Sequence, residues 1–138
     1  MTNTRLDAPS TLLEPHETEL LTRALAEWGG PAHANDDLAR AMGFADAEDF
    51  LRRRGSLQSG LQDDSPIESA DWARILLATE IVFASDLMGS GTEWRTTTGM
   101  TDEETIKLLR SVQRKLNKVL RHHYFMTPTA TTDGAEAE

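Results

Sequence analysis

The chain of 138 residues is long enough for one domain with a buried core, and its lack of cysteine excludes a disulfide framework, cysteine-ligated metals and thiol catalysis. Its net charge of −9 is unevenly placed: residues 105–123 hold six basic side chains and no acidic one, which leaves eight basic and 23 acidic residues elsewhere, a net of −15. Such a molecule repels polyanions at long range, while one segment of it attracts them.

The opening MTNTRLDAPST has no apolar stretch of the kind a secretory signal needs, so the cytoplasm is the expected compartment. Residues 1–13 read as a flexible lead-in in which Leu12 and Leu13 can pack. Glu14-Pro15 starts a first helix over 15–28, with the proline in the first turn. Leu20, Leu21, Ala24, Leu25 and Trp28 form its apolar stripe, and Gly29-Gly30-Pro31 ends it. Asn35 is placed to cap a short helix over 36–42, stopped by Gly43. Asp46 can cap a third over 46–54, with Phe50 and Leu51 inward and Gly55 as its stop. Residues 55–64 then read as a loop or linker.

The most apolar stretch follows, Ser65 to Met88. Ser65, Pro66 and Glu68 have the spacing of a capping box, and Gly89 suits the left-handed end of a helix. Apolar side chains fall on several faces, so a helix over 66–88 is expected to be buried nearly all round, the hub with the first and last helices on its flanks. Asp71, Arg74, Glu80 and Asp86 interrupt it, which rules out reading it as a membrane span. Residues 89–100 hold three glycines and read as a loop, with an extended piece over Trp94–Thr98, where β-branched residues cluster. Thr101 and Glu104 form a capping box for a last helix over 102–123. From 126 to 138 the composition is that of a disordered tail. The expectation is an all-α fold with a single helical domain over 14–125. A tri-helical unit, 14–54, precedes a long antiparallel hairpin, 65–125.

Four features bear on function. In the last helix, Lys107, Arg110, Arg114, Lys118 and Arg121 fall within about 80° of one another at 100° per residue, opposite the apolar side. That stripe is either a solvated face or a docking surface for an acidic partner, nucleic acid or an anionic surface. Residues 36–54 resemble a helix-turn-helix, with Arg52, Arg53 and Arg54 as candidate nucleic-acid contacts. Asp46, Glu48 and Asp49 at the start of the presumed recognition helix, like the net charge, weigh against DNA. At the centre of the 89–100 loop, Glu93, Trp94 and Arg95 offer a partner-binding anchor, or Trp94 instead covers the core. Finally, Glu80 and Asp86 are either structural polar contacts or, with Glu93 and Arg95, the makings of a small catalytic or ligand site.

No metal-ligand spacing, nucleophile elbow or phosphate-binding loop is present in the sequence, and no cofactor is implied. The function expected is that of a non-enzymatic helical regulator that binds another protein through the basic face and the 89–100 loop. A DNA-binding regulator, dimerising through the long helices, and a small helical enzyme stand as alternatives. No membrane association is expected.

Overall fold

The computed structural model describes residues 5–30 and 32–121. The elements run β1 (Leu6–Asp7), α1 (Pro9–Leu12), α2 (Pro15–Glu27), α3 (Asp36–Ala41), α4 (Ala47–Gln62), β2 (Ile67–Glu68), α5 (Ser69–Ala84), a 3-10 turn (Gly91–Glu93), α6 (Trp94–Thr98) and α7 (Asp102–Arg121). Among the described residues the fold is all-α apart from one antiparallel ribbon, in which Leu6 faces Glu68 and Asp7 faces Ile67. Residues 122–123 of the expected last helix, and the expected tail, lie outside the described residues.

Local chemistry sets most helix starts. Glu14 and Glu17 form a reciprocal capping box around Pro15, with the Glu14 N–H donating to Glu17 at 2.8 Å. Asn35 accepts from the Leu38 N–H at 2.8 Å, and Asp46 from the Asp49 N–H at 2.8 Å. Thr101 and Glu104 cap α7 as their spacing predicts, at 3.0 and 3.1 Å.

Three expectations change. α4 does not stop at Gly55; it runs on to Gln62, so residues 55–62 are helix rather than linker. Glycine costs about 1 kcal/mol in a helix interior. Phe50, Leu57 and Leu61 continue a buried stripe across it, and that burial outweighs the cost. α5 begins at Ser69 rather than 66, because Ile67 and Glu68 are drawn into the ribbon with residues 6–7 and Ile67 is buried. The Ser65-Pro66-Glu68 box therefore does not form. α5 also ends early, at Ala84. Ser85 turns extended, and the Ser90 N–H returns to the Val82 carbonyl at 2.7 Å. The tight return needs Gly91: its φ is +47°, and a Cβ there would lie 2.3 Å from Asp86 Cα.

The N-terminal segment is likewise built into the fold. Trp72 Nε1 donates to the Asp7 carbonyl at 3.2 Å, and Ser10 donates to the Asp64 carboxylate from its N–H and its hydroxyl, at 2.8 and 2.7 Å. Residues 6–12 are thus ordered structure, not a loose lead-in.

The core lies between four helices. α2 packs against α4, α5 and α7, while α5 packs against α2 and α7, so the hub is α2 rather than α5. Glu80 bonds Gln113, while Phe83 and Ala84 line the same groove as Ile106 and Leu109; the numbering runs in opposite senses, so α5 and α7 are antiparallel. α5 is not buried all round. Leu77 and Ala84 are exposed, and Leu87, just beyond its end, is 91% exposed.

Candidate interaction surface

On α7, Leu109, Val112, Leu116, Val119 and Leu120 are buried, which turns the opposite side outward. Lys107, Arg110, Arg114, Lys118 and Arg121 are all exposed. The sixth cation of the helix, Lys115, does something else. Its Nζ donates to Glu17 at 2.8 Å, and Glu17, only 3% exposed, also accepts from the Ser111 hydroxyl and the Glu14 N–H. Burial alone would raise the Glu17 pKa. The hydrogen bonds from Lys115, Ser111 and Glu14, with the Lys115 charge, outweigh it and hold the carboxyl below its ordinary value. This clamp fixes the rotation of α7 against α2, and so the direction of the stripe.

Six of the eight cations elsewhere are used differently. Arg5 pairs with Asp7, Arg23 with Glu19, Arg40 with Asp37, Arg52 with Asp49, and Arg53 and Arg74 both with Asp71. Among the described residues no carboxylate lies within ion-pair distance of the five stripe cations; Arg110 donates only to the Gln113 side chain, at 2.8 Å.

Next to the stripe runs a groove of about 340 Å³ between α5 and α7. Ile106, 47% exposed, lies on its α7 wall one turn before Arg110, so groove and stripe share an edge.

The 89–100 segment is not the extended loop its composition suggests. Trp94 opens α6, is fully buried, and donates from Nε1 to Thr105 Oγ1 at 2.7 Å. Its ring meets Phe83 edge-on at 5.6 Å. Gly99, with φ +77°, ends α6 in the left-handed conformation. A side chain with no exposed surface cannot anchor a partner, so the partner-binding assignment of Trp94 is corrected: it belongs to the core. Glu93 and Arg95 beside it are exposed.

Arg52, Arg53 and Arg54 do not form a joint basic surface. Arg53 reaches Asp71 at 2.9 Å and lies over the Phe44 ring, and Arg54 Nη1 donates to the Leu25 carbonyl at 3.3 Å. Only Arg52 points fully outward, and it pairs with Asp49. Two of the three are held by internal partners, and the exposed Glu48 stands in the first turn of α4 where DNA would approach.

Glu80 is half-buried rather than enclosed, and one of its oxygens accepts from Gln113 Nε2 at 2.8 Å. Asp86 serves its own turn, accepting from the Thr92 N–H and hydroxyl, each at 2.8 Å. The Thr92 N–H, then its hydroxyl, keep the Asp86 carboxyl below its ordinary value. The groove that Glu80 lines contains none of Asp86, Glu93 and Arg95, so the four side chains proposed together for a small-molecule site do not share that cavity.

Two buried carboxylates escaped the sequence reading, Glu17 of the α7 clamp and Glu27. Glu27, 8% exposed, accepts from Ser90 Oγ at 2.6 Å and from the Thr97 hydroxyl, tying the end of α2 to the return after α5. Its position beside Trp28 at the end of an apolar stripe was the only available signal. No protein-family model, curated protein or solved structure matches this chain.

Proposed function

We propose that the protein is a non-enzymatic helical interaction module whose outer α7 face docks an acidic protein partner, with Glu93 and Arg95 at the margin of the contact. The observation that carries this reading is the contrast in ion pairing. Carboxylates outnumber cations by nine in the chain, and six of the eight arginines outside α7 have found one among the described residues, Arg54 and Arg95 being the exceptions. The five exposed cations of α7 have none among the described residues. Aligned charge of one sign raises the energy of the free molecule slightly and is relieved by a partner of opposite sign.

Charge reversal of Arg114→Glu with Lys118→Glu tests it. Both positions are exposed, so the fold is expected to hold, with only a small drop in melting temperature from the added negative charge, while capture of the partner from the native host is lost. Equal capture by wild type and variant would refute the proposal. A DNA duplex serves as the competing polyanion: saturable binding to it, with a steep salt dependence, in place of protein capture would replace the protein partner with nucleic acid.

A further inference from the structure

Resting on the basic-stripe reading above, we propose that the α5–α7 groove is the seat of one apolar anchor of the partner, and that the partner segment is an acidic amphipathic helix. The groove has an apolar floor of Phe83, Ala84, Ile106 and Leu109. Phe83 is backed by the buried Trp94, so the floor is rigid rather than collapsible. One end is closed by a polar relay: Arg110 donates to the Gln113 oxygen, and Gln113 Nε2 donates to Glu80 Oε2, each at 2.8 Å. Gln113 thus occupies both neighbours without neutralising either. Arg110 remains the cation at the rim, and Lys107 and Arg114 continue the same charge along the outer side of α7.

This arrangement specifies the occupant. An apolar side chain enters over Ile106, which leaves 47% of its surface open in the free protein. Carboxylates three or four residues away on the same helix then face Arg110 and its neighbours, because helix periodicity sets both spacings. Glu80, on the opposite wall, repels a carboxylate placed there, so the orientation of the helix across the groove is fixed by sign. A basic helix would place its cations against Arg110 and be rejected.

The probe is a synthetic helical peptide with leucine anchors at i, i+4 and i+7 and glutamates along one flank, followed by amide chemical shifts of the full-length protein. A matched peptide carries lysine in place of glutamate. The acidic peptide is expected to shift Phe83, Ala84, Ile106 and Arg110 and to bind at least about tenfold more tightly than the lysine peptide. Ile106→Glu is expected to weaken it by about tenfold or more, with Ile106→Gln as the milder variant should the first disturb folding. Shifts confined to Arg114, Lys118 and Arg121, indifferent to both Ile106 variants, would remove the groove while leaving the stripe as the docking surface. Equal binding of the two peptides, unaffected by Arg110→Glu, would remove both proposals. Sedimentation showing that Ile106 is instead covered in a dimer would assign the groove to a second copy and overturn the peptide occupant.

Discussion

At the scale of single residues, two side chains decide how the molecule is put together. Trp94 stands in a glycine-rich segment where an exposed anchor and a core plug look alike in sequence. The structure separates them by burial and by the indole bond to Thr105. Trp94→Ala is therefore expected to cost about 3–5 kcal/mol in urea denaturation, while Trp94→Phe, which keeps a ring against Phe83, costs less. Loss of partner binding by Trp94→Phe at full stability would contradict this placement. Glu17 is the second. Its carboxyl titrates below its ordinary value when folded, so its contribution is fully present above the unfolded value of 4.5 and is lost as pH falls through the lower folded value. Glu17→Gln keeps the shape and removes the charge. It is expected to cost about 1–2 kcal/mol at pH 7, the worth of charged hydrogen bonds reduced by the partial exposure of Lys115. Once the pH has fallen below that folded value, wild type and variant should converge, and a gap that persists there would show that the clamp acts through shape alone.

At the scale of elements, what was legible in the sequence was what is decided within one turn. Asn35, Asp46, Pro15 and the Thr101–Glu104 pair mark the starts of α3, α4, α2 and α7, because a cap needs only its own backbone. The amphipathic pattern of α7 gave its buried and open faces for the same reason. The misplaced boundaries depend on distant partners. Nothing near Ser65 announces that residues 67–68 will pair with residues 6–7, and that pairing takes away the first turn of the expected helix. At Gly55 the glycine reads as a stop, although Phe50, Leu57 and Leu61 keep helical spacing across it, and it is packing on α2 that makes the spacing prevail. Of the candidate site, the stripe was legible and the groove was not, since the groove needs α5 to end at Ala84 and α7 to cross Phe83. Gly55 also supplies a prediction. A Cβ there meets nothing within 4 Å, and the backbone is already helical. Gly55→Ala should raise stability by about 0.5–1 kcal/mol; a lower melting temperature would mean that α4 is not continuous through this position.

At the scale of the whole molecule, salt separates the two electrostatic roles of the surface. The net charge of −9 opposes compaction through repulsion among the carboxylates, whereas the stripe attracts an acidic partner against that background. Raising salt from about 0.1 M to about 1 M shortens the screening length from about 10 Å to about 3 Å. Self-repulsion acts over long distances between exposed charges, so its screening should raise the melting temperature. The Glu17–Lys115 pair, with Glu17 only 3% exposed, is screened far less and does not cancel that gain. Binding through exposed cations should weaken over the same range, chiefly through slower association. Stability and affinity are thus expected to move in opposite directions with salt. Reversing Arg114 and Lys118 to glutamate takes the net charge from −9 to −13, two changes of two units each. That variant should gain more thermal stability from added salt than the wild type, and its residual partner binding should lose its salt dependence. Melting curves and association rates measured across one salt series check both, and parallel rather than opposed trends would show that the stripe does not carry the docking charge.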